Sequence, residues 1–168
     1  MSDYLLPTDL VDKAREVIAA NRAAGRRVAV AESCTGGLVS AALTEIPGSS
    51  DVFEAGYVTY SNAAKMAELN VNLDVVETFG AVSVATAWAM AQGALEASGA
   101  DVAVAITGIA GPDGGTEQKP VGTVVFARAE RQPGPDKIVA DQQLFDASGG
   151  RSGIRRQAAL CALELLMP

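Results

Sequence analysis

Two short apolar segments constrain the fold of this chain more than any other feature of its sequence. The segments are VAVA at residues 28–31 and DVAVAIT at residues 101–107, and they consist almost wholly of valine, alanine and isoleucine. Apolar runs of this length are typical of strands that are covered on both faces, as in parallel sheets flanked by helices. The rest of the chain should therefore supply helices for both faces of a sheet.

Helical and strand patterns alternate around these two segments. Helices are predicted by apolar spacing and end signals at 8–25 with Thr8 as a cap, 35–48, 62–70, 83–98 with Ser83 as a cap, and from about Gly153 to Met167. Further strands are predicted at 51–60, 121–129 and 137–145, and the last of these has the alternation of an exposed edge. This order predicts an α/β fold, a three-layer α/β/α sandwich with a mixed, mostly parallel sheet of five to six strands, in one domain over residues 1–168.

Charge and cysteine content exclude several functional classes. The formal net charge of −7 disfavours binding of nucleic acid through a broad basic surface. Two cysteines, Cys34 and Cys161, do not make a disulfide framework, and MSDYLLPTDL lacks the basic and apolar regions of a signal peptide. No apolar run approaches the roughly 18 residues of a membrane span. We therefore expect a cytoplasmic protein. Its oligomeric state is left open, although a twofold homodimer is the commonest oligomer.

The first candidate site is AESCTGG, where the strand at 28–31 runs through a glycine-containing turn into a helix. Ligands of α/β folds bind at this position, where helix amides favour an anion or an oxyanion. Ser33 and Cys34 are adjacent candidate nucleophiles in this turn. The alternative is that Ser33 or Thr35 merely caps the helix. The spacing of a Walker A loop is absent.

The absence of histidine restricts how such a nucleophile could be activated. With no histidine in the chain, Ser-His-Asp and Cys-His catalysis are both excluded within one chain. A lysine whose pKa is lowered by burial or by positive potential can serve as the base instead. Of the four lysines, Lys13 and Lys137 have the context of surface residues, whereas Lys65 and Lys119 adjoin loops at strand ends. The spacing does not decide between these two.

Three further segments carry candidate functional groups. In YVTYSNAAK, Tyr60 and Lys65 lie where a strand gives way to a helical turn, unless Lys65 is simply solvated. The segment TGIAGPDGGTEQKPVG at 107–122 holds five glycines and two prolines, and the alternative to a ligand loop is a flexible crossover. In GGRSGIRRQ, three arginines gather at a helix start, where they could bind phosphate or form a solvated basic turn: Arg151, Arg155 and Arg156.

Taken together and in this order, the four segments resemble the CinA C-terminal family, the nicotinamide-nucleotide amidohydrolases. The resemblance is carried by AESCTGGL, YSNAAK, TGIAGPDGGTEQKPVGTV and IRRQA, and it extends from about residue 8 to residue 166. The first and third motifs are long and unusual, which makes the resemblance specific.

The resemblance implies a reaction and a set of site residues. Nicotinamide mononucleotide (NMN), a small-molecule nucleotide, would be hydrolysed to nicotinic acid mononucleotide and ammonia in pyridine nucleotide salvage, with no metal and no other cofactor. Ser33 rather than Cys34 would be the nucleophile, and Lys65 rather than Lys119 its base, with Tyr60 as a third catalytic residue. Substrate contacts would come from Cys34, Thr35, Gly36, Gly37, Thr107, Gly108, Gly111, Arg151 and Arg155.

Two departures from the family pattern bear on these expectations. The late motif of the family resembles F-x-G-D-R-x-x-I-R, whereas FDASGGRSGIRRQ lacks the acidic residue before Arg151 and is longer after Phe145. Asn70 stands where a glycine is usual, and a left-handed backbone would suit either residue. Because of the altered arginine segment, the alternative function is a non-catalytic, nucleotide-binding regulatory module of the same fold.

Overall fold

A five-stranded mixed sheet forms the centre of the computed structural model, which describes residues 3–132 and 139–168. The strands are β1 (Val28–Glu32), β2 (Phe53–Val58), β3 (Val102–Gly108), β4 (Thr123–Glu130) and β5 (Val139–Leu144). The helices are α1 (Thr8–Ala23), α2 (Leu38–Thr44), α3 (Asn62–Leu69), α4 (Leu73–Phe79), α5 (Val84–Ser98) and α6 (Gly150–Leu165), with a 3-10 turn at Ser49–Asp51.

Strand order and direction bring four chain segments to one edge of the sheet. The order is β2-β1-β3-β4-β5, in which β1 pairs in parallel with β2 and β3, and β4 pairs antiparallel with β3 and β5. Four of the five strands therefore point the same way, and β4 alone is reversed. The segments that follow β1, β2, β3 and β5 all leave the sheet at the same edge.

The two faces of the sheet bury different side chains. Valines, isoleucine and phenylalanine of β1, β3 and β4 pack against α1, α2 and α6, whereas mainly alanines of the same strands face α5 and its neighbours α3 and α4. The alternating VAVA pattern thus gives one bulky face and one smooth face, and the smooth face admits close approach of a helix. The predicted α/β/α sandwich is confirmed, with five strands among the described residues.

Several local expectations are confirmed, and others are corrected. Ser83 caps α5 through its side chain, and Asn70 has a positive φ of 55°. Thr8 does not cap α1, because Pro7 occupies the cap position and no side-chain cap bond forms there. Helix α6 begins at Gly150, earlier than predicted, and α4 was not predicted at all.

Part of one predicted feature lies outside the described residues. The turn RQPGP and the first residues of the last predicted strand fall partly on residues 133–138, which are not described. The described part, β5, is an edge strand as predicted. None of the helices described here has the length and apolar composition that a membrane crossing requires.

Candidate active site

A serine and a lysine from neighbouring segments meet at the edge of the sheet defined above. Ser33 follows β1, and Lys65 lies one turn into α3, which begins after β2 and is capped by the Ser61 side chain. The Nζ of Lys65 lies 2.9 Å from the Oγ of Ser33. The same amine donates a hydrogen bond of 2.6 Å to the carbonyl oxygen of Thr59. Parallel pairing of β1 and β2 therefore brings the two groups into direct contact.

Burial gives the Lys65 amine unusual acidity. Only 1% of the residue is exposed, and desolvation lowers the pKa of Lys65 from its usual 10.5 to about 8. No carboxylate within the described residues forms an ion pair with it. At neutral pH a useful fraction of the amine is therefore unprotonated and able to accept a proton.

The other described lysines lie elsewhere. Lys13 is a surface residue as predicted, with salt bridges of 2.8 Å to Glu16 and to Glu164. The Lys119 amine donates to the carbonyl oxygen of Val82 at 2.6 Å, and no hydrogen bond links it to Ser33. Lys137 lies outside the described residues. The geometry thus brings Lys65, and not Lys119, to the serine.

The thiol next to Ser33 is in a different chemical state. Burial raises the pKa of Cys34 to about 11. A thiol with such a pKa is protonated at neutral pH and is a weak nucleophile. Cys34 nevertheless lines the cavity described below, so the residue can contact a ligand without reacting.

The turn between β1 and α2 is organised by a buried carboxylate that the sequence pattern did not identify. Glu32 is fully buried and accepts four hydrogen bonds of 2.7–3.0 Å from the Thr35 hydroxyl, the Val39 N–H, and the N–H and hydroxyl of Ser40. The cap position of α2 is Gly37, which offers no side-chain oxygen. The carboxylate of Glu32 therefore caps the helix from the preceding strand.

An arginine binds the same turn from α6. The guanidinium of Arg155 donates to the carbonyl oxygens of Cys34 and Thr35 at 3.1 and 3.2 Å. Gly36 has a φ of +59°, and a Cβ at this position would lie 3.3 Å from the Arg155 Nη2. Glycine is favoured there because the backbone is left-handed and a guanidinium is close by.

The glycine-rich segment 109–122 connects the adjacent antiparallel strands β3 and β4, so it is not a crossover. Its base is closed by two backbone bonds, in which the Ile109 N–H donates to the Thr123 carbonyl oxygen and the Gly122 N–H donates to the Ile109 carbonyl oxygen. It forms one wall of an open cavity of about 230 Å³ that also reaches Cys34, the residue after Ser33. The cavity lining includes Cys34, Tyr60, Gly108, Gly111 and Arg151.

Arg151 joins the glycine segment to the tyrosine. Its guanidinium donates to the Gly111 carbonyl at 2.7 Å and to the Tyr60 hydroxyl at 2.8 Å. The Tyr60 hydroxyl thus has a partner in Arg151, while Lys65 reaches Ser33 directly. Arg156, the third arginine of this helix start, forms a salt bridge with Asp9 at the surface.

Thr107 supports the site from within the fold and does not line the cavity. It is 1% exposed, and its hydroxyl donates to the carbonyl oxygen of Ala81 at 2.9 Å. Together with Lys119, it ties the segment between α4 and α5 to β3 and the glycine-rich segment. Among the predicted contact residues, Thr107, Thr35 and Arg155 therefore bind the protein itself, whereas Gly108, Gly111 and Arg151 line the cavity.

Comparison with known proteins identifies the family. A family model described as the CinA C-terminal domain matches residues 11–168. The chain belongs to the CinA C-terminal domain family, as its four motifs indicate.

Two relatives show how the match is distributed. A nicotinamide-nucleotide amidohydrolase of Enterobacter agglomerans is 50% identical over 149 residues, which cover 89% of this chain and 88% of that protein. A CinA-like protein of Mycolicibacterium paratuberculosis is 52% identical over 143 residues, but these span only 33% of its length. The chain therefore spans about a third of this longer relative.

A solved structure confirms the architecture. The crystal structure of competence/damage inducible protein CihA from Agrobacterium tumefaciens superimposes with a TM-score of 0.91 and is 46% identical. The match covers 99% of this chain and 97% of the other.

Proposed function

We propose that this chain hydrolyses the carboxamide of NMN to the carboxylate and ammonia, with Ser33 as the nucleophile and Lys65 as the general base. The single observation that carries the proposal is the 2.9 Å contact between a serine hydroxyl and a buried amine whose pKa is about 8. The 50% identity to a nicotinamide-nucleotide amidohydrolase over nearly the whole of both chains supports the choice of substrate.

Neutral Lys65 starts the reaction by taking the hydroxyl proton of Ser33. Because its N–H bond to the Thr59 carbonyl orients the amine, the lone pair can face the Ser33 Oγ. The oxygen attacks the carboxamide carbon, and negative charge develops on the carbonyl oxygen. Protonated Lys65 then gives its proton to the departing nitrogen, which leaves as ammonia.

The turn that holds Ser33 supplies donors for the developing oxyanion. The Gly36 N–H already donates to the Ser33 carbonyl at 3.0 Å. The N–H groups of Cys34, Thr35 and Gly37 have no acceptor among the described residues. We assign oxyanion binding to these donors, each of which can contribute about 3 kcal/mol to transition-state stabilisation.

Water completes the cycle by hydrolysing the Ser33 ester. Lys65, neutral again after ammonia departs, takes a proton from water as its oxygen attacks the acyl carbon. The Ser33 oxygen leaves and recovers the proton, and the carboxylate product is released. The net reaction converts one amide and one water to one carboxylic acid and one ammonia.

The cavity provides the binding groups for the rest of the substrate. Arg151 uses two of its five N–H donors on Gly111 and Tyr60, so three remain for a phosphate. The aromatic ring of Tyr60 and the backbone at Gly108 and Gly111 form the cavity wall. Tyr60 then orients Arg151, a simpler role than relaying a proton.

We further propose a single domain at residues 1–168 and a cytoplasmic location, in keeping with two free cysteines.

Ammonia release from NMN by the purified protein tests this function. We expect turnover by the wild type and its loss in Ser33→Ala. If the wild type releases no ammonia yet NMN raises its melting temperature, the alternative of a non-catalytic nucleotide-binding module replaces the amidohydrolase. If NMN neither reacts nor shifts the melting temperature, both functions are rejected.

A further inference from the structure

The turn that carries Ser33 is bound by opposite charges on its two sides. Glu32 accepts hydrogen bonds from the Thr35 hydroxyl in the turn and from the Val39 and Ser40 N–H groups at the start of α2, while Arg155 donates to the carbonyl oxygens of Cys34 and Thr35. The turn 33–37 is thus bound through two carbonyl oxygens and one hydroxyl, and the start of α2 through two N–H groups. Such bonds are stronger than neutral ones and hold a fixed geometry.

Arg155 faces a different cavity from Arg151. Arg151 lines the cavity that also contains Cys34, Tyr60 and the glycine-rich segment. Arg155 instead lines a second cavity, with Pro7 and Leu38 of the first two helical segments. The two arginines lie one turn apart on α6, but they open onto separate spaces.

We propose that Arg155 is a positioning residue, which with Glu32 fixes the turn that holds Ser33, and that of these two arginines only Arg151 contacts the substrate phosphate. The statement about phosphate rests on the proposed function, whereas the statement about the turn does not. A guanidinium suits this role because its rigid fork reaches two carbonyl oxygens at once, which a lysine ammonium cannot do in the same geometry.

The same argument makes Glu32 intolerant of its amide analogue. One carboxylate oxygen accepts from the Val39 N–H, and the other accepts from the Ser40 N–H. Whichever way a glutamine were placed, its NH2 group would face a backbone N–H. Glu32→Gln should therefore break one of the two hydrogen bonds to the Val39 and Ser40 N–H groups, although the side chain keeps its size and shape.

The test compares three single lysine substitutions on α6. We expect Arg155→Lys to lower kcat for NMN at least tenfold with KM within threefold of wild type. Arg151→Lys should instead raise KM at least tenfold. Arg156→Lys is the matched control, since within the described residues Arg156 forms its salt bridge with Asp9 at the surface, and it should change neither constant. A rise in KM with unchanged kcat for Arg155→Lys would show that Arg155 binds substrate, and this overturns the proposal.

Amide hydrogen exchange tests the turn without reference to any substrate. We expect Arg155→Lys and Glu32→Gln to raise exchange at least fivefold in a peptide covering 34–40, which holds the Gly36 and Leu38 N–H bonds. Exchange in α5 should not change, which separates local release from global destabilisation. Unchanged exchange at 34–40 overturns the role of the turn contacts. Failure of the wild type to hydrolyse NMN would reject only the proposed function. The exchange result would still decide whether Arg155 and Glu32 fix the turn.

Discussion

The turn at 33–37 and the segment at 109–122 leave adjacent parallel strands at the same edge of the sheet, yet they are built differently. The turn has five residues, its first three are buried, and two charged side chains bind it: Arg155 at two carbonyl oxygens and Glu32 at the Thr35 hydroxyl. The glycine-rich segment is almost three times as long, and residues 112–118 are exposed. One segment is fixed and the other lies open to solvent.

The difference matches two separate demands of catalysis. A nucleophile must be held within a fraction of an ångström of its base, because small displacements reduce the rate steeply. A segment that covers a substrate needs backbone groups that can approach closely, and glycines permit this. We infer that changes in the turn affect kcat, whereas changes in the glycine-rich segment affect KM.

Removal of the nucleophile should have the largest effect. Ser33→Ala should lower kcat for ammonia release at least about 10³-fold, since no neighbouring group replaces the hydroxyl. Cys34→Ala should retain at least about a tenth of wild-type kcat, because a protonated thiol is not the nucleophile. In the glycine-rich segment, Asp113→Asn should lower KM about twofold by removing a negative charge from the cavity wall. Equal loss of kcat in Ser33→Ala and Asp113→Asn would abolish the distinction between the segments.

Two lysines provide the next comparison: Lys65, which contacts Ser33 of the turn, and Lys119, which lies within the glycine-rich segment. Lys65→Met should lower kcat about 10²- to 10⁴-fold, which is the usual range for loss of a general base. Its free energy of unfolding should stay within about 2 kcal/mol of wild type, because a buried amine is replaced by an apolar side chain. Lys119→Met, within the glycine-rich segment, should keep kcat within about threefold. Steady-state kinetics measures kcat, and urea denaturation measures the free energy of unfolding. A larger kcat loss in Lys119→Met than in Lys65→Met would show that Lys65 is not the base.

A pair of glycines tests the rigidity of the turn. Gly36 and Gly114 have φ values of +59° and +91°, so alanine at either should cost about 1–2 kcal/mol of stability. The new methyl group would meet Arg155 Nη2 at 3.3 Å in Gly36→Ala but Ile109 Cγ2 at an ordinary 3.7 Å in Gly114→Ala. Gly36→Ala should therefore lose kcat about tenfold, and Gly114→Ala less than threefold. Similar kcat values in the two variants would show that the turn tolerates movement.

The smallest effect is expected at a residue beside the turn. The Thr59 hydroxyl is buried and has no hydrogen-bond partner within the described chain. Thr59→Val keeps the shape and removes the unsatisfied group, so it should leave stability unchanged or raise it by up to about 1 kcal/mol. Thermal unfolding measures this change. Destabilisation by more than about 1 kcal/mol would mean that the hydroxyl has a partner.

Most of the fold follows from patterns that are strong in the sequence. The strands at VAVA and DVAVAIT, the Ser83 cap and the exposed edge strand were all predictable, because apolar periodicity and capping chemistry are local. Helix α4 was not, since its LDVVETF sequence is short and rich in β-branched and aromatic residues, which are poor helix formers. Its Asn72 cap was the one local signal available.

The candidate site was predictable in its members but not in their contacts. The lack of histidine pointed to a lysine base, yet only the sheet order shows that Lys65 meets Ser33 while Lys119 binds Val82. The role of Glu32 depends on donors up to eight residues away that converge only when α2 forms. The division between Arg151 and Arg155 likewise depends on where α6 packs, which no local pattern records.

The pH dependence of kcat/KM for ammonia release tests the central claim most directly. Below a pKa of about 8 the Lys65 amine is protonated and cannot accept the Ser33 proton, so the rate should rise with pH and level off above it. At pH 7 about one tenth of the amine is neutral, which predicts about a tenth of the plateau rate. A single ascending limb with its midpoint near pH 8 is the predicted result. A profile that is flat from about pH 5 to 9 would contradict the role of Lys65 as the base.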